Sequence, residues 1–205
     1  MPILFVVLCV LAVGVVSRAN RDVIMVPEGD LLSKPAVALI FAPGADLGPS
    51  SYVPLMKSMQ KELGPDFGLW VGIPHMPMDV SAIGLKQAVA RVASELMDQG
   101  LPLEHETFYG GHSLGGAVMP MLVDTPEDLP EHFNTPKGVV LMGAFLTRSF
   151  RSEANADVGP GQYQFPTCPV LTIGAELDGL CRITRIAEAR HVQVDLSESP
   201  QKALH

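Results

Sequence analysis

Gly110-Gly111-His112-Ser113-Leu114-Gly115-Gly116 is the stretch on which the reading of this chain turns. A single serine stands between a histidine and a leucine, and a pair of glycines closes each flank. Before it, Glu106–Gly110 (ETFYG) has strand character; after it, Gly115–Val123 (GGAVMPMLV) continues as a helix. The seven residues thus make a strand-to-helix turn. A residue at the apex of so sharp a turn is held in a strained backbone conformation, and its neighbours must be small because strand and helix pass within contact distance. Gly111-x-Ser113-x-Gly115 is the pattern of a nucleophile elbow. The helix that follows aims its N-terminus at the serine, where free N–H groups favour negative charge on an acyl oxygen.

Outward from this turn, strand and helix patterns alternate. Asp22–Pro27 (DVIMVP) is a short strand candidate and Ala36–Ala42 (AVALIFA) a wholly apolar one. Ser51–Leu63 has helical spacing, Leu69–Ile73 reads as a strand, and Ser81–Gln99 is the clearest amphipathic helix, ended by Gly100. Downstream, Asp124–Lys137 is Pro-rich, acidic and loop-like. Val139–Phe145 and Pro169–Gly174 are buried-type strands, Leu180–Arg190 is helical, and His191–Leu196 (HVQVDL) is read as a last strand. Continuous apolar strands separated by amphipathic helices indicate an α/β fold: a mostly parallel central sheet with helices on both faces.

With 205 residues, 47% hydrophobic and 18% charged, the chain is globular in composition and sized for one domain. A net charge of −8 argues against a nucleic-acid partner or an anionic membrane surface. The apolar run Ile3–Val16, followed by Ser17-Arg18-Ala19, suits a signal peptide cleaved after Ala19. It is short for a membrane-spanning helix. Residues 1–19 are therefore expected to be a leader and 20–205 a single domain, secreted or in the secretory lumen, with no stable membrane span once the leader is gone. Cys168 and Cys181 flank the strand PVLTIG, so ~3.3 Å per residue keeps them too far apart for a disulfide. Both are expected to be free thiols.

In this setting GGHSLGG resembles the form found in many lipases and esterases of the α/β-hydrolase superfamily, and the order of elements resembles that superfamily over roughly residues 36–190. The resemblance implies a minimal α/β-hydrolase fold and a serine hydrolase that cleaves an ester-type acyl bond through an acyl-serine intermediate, with Ser113 as nucleophile. It implies an oxyanion-hole loop after an early strand. Pro43-Gly44-Ala45-Asp46-Leu47-Gly48 fits, with the backbone N–H of Ala45 (or Gly44) pairing with that of Leu114. It also implies a carboxylate after a later strand, to orient a histidine. Asp178 is the candidate, with Glu176 behind it.

The histidine is the awkward part, because a serine hydroxyl is a poor nucleophile without a base to take its proton. Only His191 and His205 follow Asp178. His191 falls at the end of a helix. His205 is suitably spaced but stands at the chain's last residue, where ends fray. The polar tail DLSESPQKALH does not resemble a completed final strand, helix and histidine loop, which is the pattern of a C-terminally truncated member. His112, beside the serine, reads as a packing or supporting residue rather than the base. The histidines lack metal-site spacing, so neither a metal nor another cofactor is expected.

The connection Leu146–Cys168 is too short for a cap domain and leaves an open site for a small-molecule or lipid ester. Met76, Met78, Met119 and Met121 could line that site, although core packing is their commoner role. Two alternatives stand beside the hydrolase: an acyltransferase or thioesterase using the same residues, and a catalytically impaired binding protein of the same fold.

Overall fold

The computed structural model describes residues 21–150, 165, 167–175, 178 and 180–193. Six strands form one sheet: β1 (Val23–Met25), β2 (Ala36–Ala42), β3 (Gly68–Ile73), β4 (His105–His112), β5 (Pro136–Met142) and β6 (Val170–Ile173), in the spatial order β1-β3-β2-β4-β5-β6. All neighbours are parallel except β1, which pairs antiparallel with β3 at the edge. Among the described residues the α-helices are α1 (Val53–Leu63), α2 (Leu85–Asp98), α3 (Leu114–Val123) and α4 (Ile183–Gln193). The sheet is mostly parallel and helices lie on both faces, as the alternation of patterns requires.

Each buried strand divides its side chains between two cores, because successive residues point to opposite faces. On β2, Ala36, Ala38, Ile40 and Ala42 join Ala88, Val92 and Leu96 of α2 and Met119 and Val123 of α3. Leu39 and Phe41 join Met56 of α1, Leu69 and Val71 on the other face. Strands buried on both faces cannot alternate apolar with polar, hence the unbroken run AVALIFA.

Several boundaries differ from the sequence expectation. The helix expected over Ser81–Gln99 begins only at Leu85, after Gly84 in a left-handed conformation. Ser81 is instead fully buried, its hydroxyl donating to the Pro43 carbonyl at 2.5 Å. Strand β5 starts at Pro136, inside the stretch expected to be loop, and ends at Met142 rather than Phe145. The last strand expected from His191 is contradicted over its first half, since residues 191–193 continue α4. Alternation over HVQ is too short to outweigh the helix already running into it. Residues 194–196, His205, Glu176, residues 1–19, expected to be a leader, and most of the connection 146–168 lie outside the described residues. Among the described residues no helix is long and apolar enough to cross a membrane.

Candidate active site

Register decides where the chemistry-bearing residues gather. Ala42 of β2 pairs with Gly111 of β4, His112 with Met142 of β5, and Met142 with Ile173 of β6. The loop after β2, the serine after β4, the glycine after β5 and Asp178 after β6 therefore all leave the same carboxyl edge of the parallel sheet. Ligands of open α/β sheets bind at that edge.

Ser113 separates β4 from α3 with φ 50° and ψ −117°, outside the regions open to an ordinary L-residue. Both sides of the bend are tied down: its N–H donates to the Met142 carbonyl at 2.9 Å, and its C=O accepts from Ala117 N–H at 2.9 Å. The flanking residues have to be small. A methyl added at Gly115 would run into the carbonyl oxygens of Ala42 and Pro43, and one at Gly116 would stand 2.6 Å from Ala144 Cβ. An open cavity of about 260 Å³ adjoins the serine, lined by Leu114, Ala117, Gly143, Ala144, Phe145 and Cys181 among others.

The loop Pro43–Leu47 is pinned beside the serine, close enough that a Cβ on Gly44 would lie 3.4 Å from Ser113 Cβ. Its anchors are the Ser81–Pro43 bond, Asp46 N–H to the Asp79 carbonyl at 3.1 Å, and Gly44 N–H to the Tyr52 hydroxyl at 2.8 Å. Asp46, Met78 and Asp79 all have positive φ, so backbone strain concentrates here and at Ser113. Gly44 N–H is thus committed to Tyr52, whereas neither Ala45 nor Leu114 N–H donates to another described residue. Of the two loop amides that the sequence offers, Gly44 is the one already bonded within the protein.

Asp178 turns one oxygen inward on its own loop. Its Oδ1 accepts N–H bonds from Leu180 at 2.9 Å and Cys181 at 2.8 Å. These amides, Cys181 first, hold the carboxyl below its usual range against a small opposing effect of burial, with a lesser contribution from His112. Its Oδ2 and the His112 ring approach the same point: a Cβ on Gly143 would lie 3.3 Å from that oxygen and 3.4 Å from His112 Nε2. The Nδ1 side of the ring is hydrogen-bonded to the Tyr52 hydroxyl at 2.9 Å. His112 therefore occupies a slot between Gly44 and Gly143, with a carboxylate at one end and a phenol at the other.

Other expectations fall out differently. Met76 and Met119 are core residues, while Met78 (76% exposed) and Met121 (46%) face solvent, and none of the four lines the serine cavity. Residue type alone groups them, and their elements point them elsewhere. Cys168 and Cys181 are free thiols. Burial pushes the Cys168 thiol up to about 11, and burial followed by the Asp178 charge raises Cys181. A larger cleft of about 430 Å³ lies at the β1 edge, but its central charges satisfy one another, Asp22 binding Arg91 and the His75 amide. Nothing in the sequence singles out Tyr52 or Ser81. Both act on residues 8 to 60 positions away, and no local pattern marks such a bond.

No protein-family model matches the chain, and no curated protein matches it in sequence. Solved structures do. A Silicibacter sp. TM1040 protein, assigned provisionally as a thioesterase, superposes with a TM-score of 0.51 at 14% identity, covering 86% of this chain and 70% of its own. The fold is that of the α/β-hydrolases. Weaker likenesses are a Dyadobacter fermentans phospholipase/carboxylesterase (TM-score 0.47, 16% identity, 86% and 82% covered) and a cutinase-like protein from Cryptococcus sp. (0.45, 19%, 80% and 89%). Within this α/β-hydrolase fold, the elbow after β4 and the loop after β2 are the parts that face each other.

Proposed function

We propose that this α/β-hydrolase-fold chain is a serine hydrolase acting on an ester or related acyl bond. The observation that carries the reading is Ser113 itself: a non-glycine residue held at positive φ between a central strand and a helix, beside a cavity and a loop with an uncommitted amide. In the reaction, Ser113 Oγ attacks the acyl carbonyl while the developing oxyanion takes the N–H groups of Ala45 and Leu114. A histidine, oriented by Asp178, removes the hydroxyl proton and returns it to the leaving group. Water then cleaves the acyl-serine. His205 is the histidine whose position after Asp178 suits the role. The cavity volume suits a small acyl group, and the residues alone do not separate an ester from a thioester. Residues 1–19 are read as a signal peptide and the product as secreted, which N-terminal sequencing of the mature protein tests.

One observation favours the second reading, a binding protein of the same fold. Among the described residues His112 is the histidine nearest the serine, yet its Nδ1 is taken by Tyr52. A fluorophosphonate probe separates the two. Covalent labelling that disappears in Ser113→Ala supports the hydrolase, whereas folded protein that resists labelling supports the binding module. If hydrolysis survives His205→Ala within a few-fold, His205 is not the base, since loss of a triad member costs orders of magnitude.

A further inference from the structure

Tyr52 lies at the end of a short 3-10 turn ahead of α1, 60 residues from His112 in sequence, with its ring packed on Phe41 at 5.2 Å between centroids. Its hydroxyl meets two partners, and the chemistry of Gly44 fixes the direction of one of the two bonds. Gly44 N–H can only donate, so it occupies a lone pair of the phenol oxygen. The phenol's one proton is then left for a second bond, and among the described residues His112 Nδ1, 2.9 Å away, is the nitrogen placed to accept it when the ring carries its proton on Nε2. A neutral imidazole that accepts at Nδ1 carries its proton on Nε2. That nitrogen stands on the Gly143 side of the ring, where Asp178 Oδ2 also lies. Burial raises the Tyr52 hydroxyl above its usual range and so keeps its proton in place.

We propose that Tyr52 is a positioning residue for the reaction at Ser113: it draws the Gly44 amide out of the site so that the Ala45 amide faces the reacting oxygen, and it holds His112 as the Nε2–H tautomer directed to the Asp178 side. The first half rests on the hydrolase reading; the tautomer does not. The chain Gly44 N–H, Tyr52 O–H, His112 joins the loop after β2 to the elbow strand. His112 is then a link between these parts, and its place beside the serine does not make it the base.

The test uses the full chain at pH 8, above the ordinary histidine range. Tyr52→Phe keeps the ring against Phe41 and deletes both bonds. Three quantities are read: the ¹⁵N shifts of the His112 ring, hydrogen exchange at Gly44 N–H, and the second-order rate of fluorophosphonate labelling at Ser113. The wild type should show a protonated Nε2 and a bare Nδ1. In Tyr52→Phe the ring should move toward mixed tautomers, Gly44 exchange should quicken, and labelling should slow by roughly tenfold to a hundredfold, as misplacement by about 1 Å does. His112→Asn puts an acceptor oxygen where Nδ1 stands and should keep Gly44 protected with labelling within about threefold of wild type, whereas His112→Leu should behave like Tyr52→Phe. Unchanged ring shifts and unchanged labelling in Tyr52→Phe overturn the proposal, as does a wild-type ring protonated at Nδ1. If the wild type is not labelled at all, the hydrolase reading fails with its catalytic consequence, and the ring shifts alone decide the hydrogen-bond chain. Should Tyr52→Phe fail to fold, the two His112 variants decide instead: a difference between them supports the chain, and equal behaviour overturns it.

Discussion

Replacing Ser113 with glycine should stabilise the protein while destroying its proposed nucleophile. The reference is Ser113→Ala, so that both variants lack the hydroxyl and differ only at Cβ. At an ordinary position Ala→Gly costs about 0.5–1 kcal/mol through unfolded-chain entropy. At Ser113 the backbone is held at φ 50°, ψ −117° by hydrogen bonds on both sides of the bend, so the conformation persists whatever the side chain. A Cβ there stores about 1–3 kcal/mol of strain that glycine does not. Setting one against the other, Ser113→Gly should exceed Ser113→Ala by about 1 kcal/mol. For a domain of this size that is roughly 2–4 °C in Tm. Urea titrations of the two variants measure it, the comparison resting on midpoints at equal slope. A glycine variant no more stable than the alanine variant would show that the bend is unstrained, and the structural argument for an activated serine would be wrong.

Other predictions follow from neighbouring residues. Gly115→Ala places a methyl against two backbone carbonyls that cannot rotate away, and should cost about 3 kcal/mol and abolish Ser113 labelling; denaturation and probe labelling check this. Asp178 has its folded carboxyl below the usual range, so its contribution to stability is present above the unfolded value of about 3.9 and is lost as pH falls through the folded one. Wild type should therefore lose stability relative to Asp178→Asn as pH drops below about 4, read from midpoints across pH. With Cys168 at about 11, only about one part in a thousand is thiolate at pH 8, against about a quarter for an unperturbed thiol, so peptide mapping should find iodoacetamide reacting over a hundredfold faster once the chain is unfolded.

The apolar run AVALIFA, the 81–99 helix pattern and the GGHSLGG turn are enough to specify the class of fold and its central serine. Those signals are local: strand burial appears as a run of apolar residues, and a tight junction demands glycines on the spot. The boundaries are less legible where a local pattern competes with a tertiary partner. Ser81 fits the start of a helix until its hydroxyl is seen to hold Pro43, and HVQ alternates yet continues α4.

What sequence alone determined is therefore the elbow, the order of the elements from β1 to α4, and the candidacy of Asp178. Only the tertiary structure decided that Gly44 N–H is bonded and Ala45 N–H, among the described residues, is not, that His112 is wedged between Gly44 and Gly143, and that the Tyr52 hydroxyl meets both Gly44 and His112. The physical reason is register. Parallel pairing of β2, β4, β5 and β6 brings together loops that lie far apart along the chain, and hydrogen bonds across such distances leave no periodicity behind.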